Sequence, residues 1–186
     1  MSERIHRVFR VERNLRERDA GATLVFDGAL AADPGQFVMV WLPGVEERPY
    51  SVMDDAPFSL TVSAVGPFSR ALCELKPGGR VWVRGPYGRP FQPMGQHPLL
   101  VGGGSGSAAL ALLAKALRAD GRDATVILGA RTSSLLMLEG RFRTLGCRVR
   151  LATDDGSLGY HGTGIRAISA LAGEEAHGAR VGAEVV

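Results

Sequence analysis

The chain has 186 residues, 45% of them hydrophobic, with 22 Lys and Arg against 19 Asp and Glu for a formal net charge of +3. That length and composition suit one large or two small globular domains with a real core. No apolar run approaches the ~18 residues of a membrane span, and the N-terminus MSERIHRVFR alternates charged with apolar residues where a signal peptide would not, so the expectation is a cytoplasmic protein with no membrane partner.

Taken in order, the first half reads as short runs of β-branched and aromatic residues broken by turn residues, the pattern of an antiparallel barrel. Strands are expected at 5–11, 22–29, 36–41, 49–53, 58–64 and 80–84. Turns fall between them at Asp33-Pro34-Gly35, Leu42-Pro43-Gly44, Asp54-Asp55-Ala56-Pro57 and Lys76-Pro77-Gly78-Gly79. A short helix is expected over 69–75, with Ser69 as its N-cap. Arg4, Arg7, Arg10, Arg13, Arg16 and Arg18 are interleaved with acids and strand formers, which makes them a solvated strand face and not a nucleic-acid site.

The glycine- and proline-rich run from Gly85-Pro86-Tyr87-Gly88 to Gln96 reads as a connector, because neither a helix nor a central strand tolerates it. It divides the chain into 1–96 and 97–186. After it the period changes to strand 99–101, helix 107–119, strand 124–128, helix 134–145, strand 148–152, helix 164–171 and strand 183–186. Strands alternating with helices argue for a parallel sheet. The expected fold is therefore an antiparallel β-barrel followed by a Rossmann-like α/β parallel sheet.

Two stretches carry chemistry. Arg48-Pro49-Tyr50-Ser51 places a guanidinium, an aromatic face and a hydroxyl in four residues. Side chains alternate along a strand, so Arg48 and Tyr50 share a face and Ser51 takes the other unless a kink re-aims it. Such a strand can grip a phosphate and cover a planar ring, as a flavin requires. Taken alone the four residues read better as a barrel strand with an exposed arginine and a half-buried tyrosine. Val101-Gly102-Gly103-Gly104-Ser105-Gly106 follows an apolar strand and opens an alanine-rich helix, so its amides can face a second phosphate. It lacks the strict G-x-G-x-x-G spacing, and a tight turn without ligand is the competing reading. Cys73 and Cys147 are too few to hold an iron–sulfur cluster and read as buried thiols. His97, His161 and His177 lack ligand spacing, so no metal is expected.

The order of these segments, with Pro34-Gly35-Gln36-Phe37, Val65-Gly66-Pro67-Phe68-Ser69, Leu128-Gly129-Ala130-Arg131 and Thr153-Asp154-Asp155-Gly156-Ser157-Leu158-Gly159, resembles the ferredoxin–NADP reductase superfamily. Within it the likeness is greatest to the electron-transfer subunits of bacterial dihydroorotate dehydrogenase, over essentially the whole chain. The resemblance implies FAD in preference to FMN, bound by Arg48, Pro49, Tyr50 and Ser51, by Thr61, Val62 and Ser63, and by Phe68 and Ser69. It places the pyrophosphate of NAD(H) over Gly102, Gly103, Gly104 and Gly106. Asp154 joins this second site as a loop residue at the C-terminal end of a parallel strand, where α/β folds hold ligands. No catalytic acid or base is expected, since the cofactors carry the chemistry of hydride transfer.

The resemblance further implies an NAD(P)H-linked flavin oxidoreductase subunit in pyrimidine biosynthesis, with a catalytic dehydrogenase subunit as partner in a homodimer or hetero-oligomer. Family members continue into a Cys-Gly-Pro turn and then four cysteines for a [2Fe–2S] cluster. The nucleotide-binding half is thus expected to be incomplete at its C-terminus, with a cluster only if a longer C-terminus exists. The competing readings are a stand-alone flavin reductase or diaphorase, and a non-catalytic binding or scaffold protein that has kept the fold and lost a cofactor.

Overall fold

Strand β1 (Arg7–Glu17) buries Phe9 and Val11 while Arg7, Arg10, Arg13 and Arg16 stay exposed, the alternation of a strand with one face on a core. The structure, a computed structural model, describes residues 6–92 and 95–175. Five further strands follow: β2 (Gly21–Phe26), β3 (Phe37–Leu42), β4 (Glu46–Asp55), β5 (Phe58–Ser63) and β6 (Arg80–Tyr87). They close into an antiparallel barrel in the order β1-β2-β5-β4-β3-β6, with β6 returning to β1. The interior is filled by Phe9, Phe26 and Phe58, whose ring centroids lie 4.8 Å (Phe9–Phe58) and 5.1 Å (Phe26–Phe58) apart.

Two local expectations are corrected in this half. The helix between β5 and β6, α1 (Pro67–Cys73), begins two residues earlier than the sequence suggests, with Pro67 at its start and Gly66 as N-cap. Ser69 lies inside the first turn, where its Oγ accepts the amides of Gly66 at 2.9 Å and Val65 at 3.1 Å. Strand β6 also runs through Gly85 and Pro86 to Tyr87. The register with β3 shifts between Phe37 and Met39 at this point, and an irregularity of that kind accommodates a residue that has no N–H to donate.

The second half builds β7 (Leu99–Gly103), α2 (Ser107–Ala119), β8 (Thr125–Ala130), α3 (Glu139–Thr144), β9 (Arg148–Thr153), β10 (Tyr160–His161) and α4 (Gly164–Glu175). The strands form a parallel sheet in the order β10-β9-β8-β7. The two-part architecture is the one expected. The short β10 was not expected, and the strand expected at 183–186 lies outside the described residues. The single helix expected over 134–145 is instead a 3₁₀ turn at Ser133–Leu135 and then α3. Between them Leu136, Met137 and Leu138 are buried, Leu138 has φ 63°, and its amide donates to Glu17 Oε2 of the barrel at 3.0 Å.

The halves interlock. Leu112 of α2 packs into the barrel core, and Met53 of β4 packs into the core of the sheet half. Among the described residues no helix is long and apolar enough to cross a membrane.

Candidate functional site

A cavity of about 770 Å³ opens beside β4 and is walled by Arg48, Pro49 and Tyr50, by Ser63 at the end of β5, and by Phe68 and Ser69 of α1. β4 pairs with β3 through Val40↔Arg48 and Val38↔Tyr50, which fixes the strand that carries the motif. The Tyr50 ring stacks on Phe68, centroids 6.2 Å apart at 22°, so the two form one continuous aromatic wall. Burial pushes the Tyr50 phenol up to about 12, with Cys73 adding to the rise and Arg48 pulling it down by less. The phenol is therefore neutral at physiological pH.

Arg48 is more than half exposed and, among the described residues, is held by Glu46, at 2.6 Å. Exposed pairs of this sort contribute little, so the guanidinium is available to a stronger anion at small cost. Ser63 Oγ donates to Met137 Sδ at 3.5 Å, a weak acceptor that a better one would displace. These features, with Gly66 presenting open space where a Cβ would stand, fit a phosphate and the edge of a flat ring.

Not every expected residue reaches the cavity with its side chain. Ser51 pairs with Phe37 across β3 and does not line it. Thr61 is buried with its hydroxyl 2.9 Å from that of Thr23, and Val62 points into the barrel core. Any contact from these two would have to come from the backbone.

A second cavity, of about 450 Å³, lies at the C-terminal ends of β7 and β8. Gly102, Gly103, Gly104 and Asp154 line it, joined by Arg131, Thr163 and Gly164. The glycines are not equivalent. A Cβ on Gly102 would come within 2.8 Å of Leu110 and 2.9 Å of Ser107 Oγ, so Gly102 lets α2 pack on its strand. Gly104 has φ +53°, and a Cβ built on it would point toward Ser63 Oγ at 3.8 Å, ordinary contact; the residue serves the turn and leaves that space open. Gly106 starts α2 and does not line the cavity. Neighbouring Asp155 is committed to its own turn: hydrogen bonds from the Ser157 hydroxyl, at 2.6 Å, and amide, at 3.0 Å, hold its carboxyl below the usual range.

Several lining residues escaped the sequence reading. Among the described residues, Ser105 is the one residue of the second half that lines the cavity beside β4. Its neighbour Gly104 lines the other. Arg131 stands in the Leu128-Gly129-Ala130-Arg131 segment, which the sequence alone does not tie to a ligand. Thr163 carries a signal that could have been used, for its Oγ1 accepts the Arg166 amide at 3.3 Å and starts α4.

Among the described residues no cluster of His, Cys, Asp and Glu could hold a metal ion. Cys73 and Cys147 are free, buried, one in each half, and burial raises both thiols. A third recess, of about 650 Å³, lies against His6, Trp41 and Arg84 on the barrel, where Arg84 and Glu47 satisfy each other through paired hydrogen bonds of 2.7 and 2.6 Å.

No family model matches the chain. It is similar to a probable electron transfer subunit of dihydroorotate dehydrogenase B (NAD(+)) from Methanocaldococcus jannaschii, 39% identical over 155 residues, covering 83% of this chain and 59% of the relative. The corresponding protein of Thermococcus kodakarensis is 44% identical over 129 residues, covering 69% and 54%. The chain thus spans little more than half the length of these curated relatives. Among solved structures it resembles an NADH-dependent reduced ferredoxin–NADP oxidoreductase studied for flavin-based electron bifurcation, at TM-score 0.77 and 31% identity, covering 88% of this chain and 62% of that one. The ferredoxin reductase of carbazole 1,9a-dioxygenase shares the fold, at TM-score 0.74 and 24% identity over 89% of this chain and 56% of its own.

Proposed function

We propose that this chain, which belongs to the ferredoxin–NADP reductase superfamily, is the cofactor-binding part of an oxidoreductase subunit that passes a hydride between NAD(H) and FAD. Residues 1–96 form the flavin-binding half and 97–186 the nicotinamide-binding half. The observation that carries this reading is the junction of the two cavities: Gly104 lines one, Ser105 lines the other, and Ser63 Oγ faces Gly104. Cofactors held in the two cavities would approach each other there, and transfer between cofactors needs contact and orientation more than acid–base groups.

Flavin supplies a two-electron hydride acceptor that can release electrons singly. The chain's own residues do the rest. Arg48 gives up Glu46 for a phosphate in a charge-assisted contact. Tyr50 and Phe68 shield one face from water, and the Ser63 hydroxyl turns from the Met137 sulfur to a better acceptor. The backbone of Gly103 and Gly104 and the start of α2 would hold the pyrophosphate of the nicotinamide nucleotide, with Asp154 lining the same cavity. By its relatives the partner is a separate dehydrogenase subunit that oxidises dihydroorotate, and the electrons that subunit gains would reach NAD(+) through this chain. No iron–sulfur cluster has ligands among the described residues, so such a cluster would belong to chain beyond them.

Reconstitution with FAD tests the reading. The protein should turn yellow, absorbing near ~450 nm, and NADH should bleach it anaerobically because the bound flavin performs the chemistry. A protein that takes up neither FAD nor FMN would instead be a scaffold with the fold alone.

A further inference from the structure

The strand that carries Arg48 and Tyr50 ends in Asp54 and Asp55, and both carboxylates reach across to the other half. Lys115 of α2 donates to Asp54 Oδ1 at 2.7 Å and to Asp55 Oδ1 at 2.6 Å. Arg141 of α3 holds the second oxygen of Asp54. Asp54 itself is only 5% exposed. One carboxylate therefore connects the flavin strand to two helices of the sheet half.

This is a poor device for stability. Taking charges out of water costs about what their attraction returns, and Arg141 Nε is buried without a hydrogen-bond partner among the described residues, a further cost. What a carboxylate held by two cations does supply is direction. The adjacent apolar contacts, Met53 and Leu112 in each other's cores, oppose separation of the halves but are non-directional, so they allow sliding.

The distances give such sliding a consequence. Asp54 lies four strand residues beyond Tyr50, about 13 Å. Lys115 lies eight helical residues beyond Ser107, where the glycine loop ends, about 12 Å. Leu112 and Lys115 are three residues apart and so share the face of α2 turned to β4. Movement at this anchor carries α2, and with it the glycine loop, past the cavity beside β4.

We propose that Asp54 is a positioning residue that fixes the spacing of the two cofactor cavities by tying β4 to α2 and α3. The inference rests on the hydride-transfer reading above. It adds a role for charges that touch neither cofactor.

The test has one arm that needs no cofactor. Spin labels on cysteines introduced by Arg13→Cys and Asp120→Cys, both exposed positions on opposite halves, report the inter-half distance. In the parent chain the distribution should be narrow; Asp54→Asn and Lys115→Met should broaden it, and Lys115→Arg should restore it. In the flavin-loaded protein, the same two variants should lower the rate of flavin reduction at saturating NADH on the order of 10–100-fold. Flavin content and the NADH concentration for half-saturation should stay unchanged. Should Asp54→Asn fail to fold, Lys115→Met carries both arms, since that side chain is 36% exposed.

A lower melting temperature with unchanged distances and an unchanged reduction rate would overturn the proposal and leave Asp54 as a structural ion pair. Loss of flavin in the variants would overturn it too. If the parent chain binds no flavin, the hydride-transfer reading fails separately, and the spin-label distances still judge Asp54.

Discussion

The two halves meet their expected ligands by opposite means. The barrel presents side chains: Arg48, Tyr50, Ser63 and Phe68 stand on strands and a helix fixed by a closed hydrogen-bond ladder and a phenylalanine core. The sheet half presents backbone. Gly103 and Gly104 line its cavity through backbone, alongside Arg131, Asp154 and Thr163. A site made of side chains is damaged by truncation, whereas one made of glycine backbone is damaged by addition.

The largest expected effect tests the first part of that contrast. Arg48→Ala removes a charge-assisted contact worth about 1.5–3 kcal/mol, so FAD affinity should fall roughly 10- to 150-fold. Equilibrium dialysis measures it. The melting temperature of the flavin-free chain should hold, because Arg48 is exposed and, among the described residues, bonded to exposed Glu46; a large drop would mean that Arg48 supports the barrel and not a ligand.

A smaller effect is expected from addition at Gly104. Gly104→Val forces a β-branched residue to φ +53°, a strain of roughly 1–2 kcal/mol, and stands a side chain in the NADH path. Flavin reduction followed against NADH concentration should show weakened NADH binding with flavin content retained. Equal loss of both cofactors would erase the distinction between the halves.

The smallest effect concerns the ion pairs that join them. Burial raises the Asp55 carboxyl, but hydrogen bonding and attraction from Lys115 outweigh this and leave it lowered. Burial likewise opposes the charge on Lys115, and its bonds to Asp54 and Asp55 outweigh that and leave it raised. The contribution of Asp55 is therefore present above the unfolded carboxylate value of about 3.9 and lost as pH falls through its lower folded value. That of Lys115 is present below about 10.4 and lost as pH rises through its higher folded value. Thermal melts across pH should show a plateau between these limits, and Lys115→Met should flatten both shoulders. Unaltered shoulders in that variant would assign them to other groups.

How much of this was legible depended on the range of the forces involved. The helix expected over 107–119 is observed as Ser107–Ala119, because its start after the glycine run and its apolar period are local properties. The break before α3 was not legible, since the Leu138 amide is captured by Glu17, 121 residues away. Nor was the continuation of β6 past Pro86, which depends on the shifted register with β3. In the candidate site the motif at Arg48 and Tyr50 stood out as residue types, whereas Ser105 joined the barrel cavity only once α2 had packed against β4.

The order of apolar runs, turns and glycines by itself determined a barrel followed by a parallel sheet, and it named the strand and the loop that line the two cavities, since periodicity and turn chemistry act between near neighbours. Only the tertiary structure decided that Thr61 and Val62 turn their side chains from the cavity, that Ser105 and Arg131 enter the two cavities, and that Asp54 joins the halves. Those outcomes follow from register, closure and ion pairing between segments that are distant in sequence, where strand alternation can be shifted by one bulge and a buried charge must find whichever partner the packing brings near.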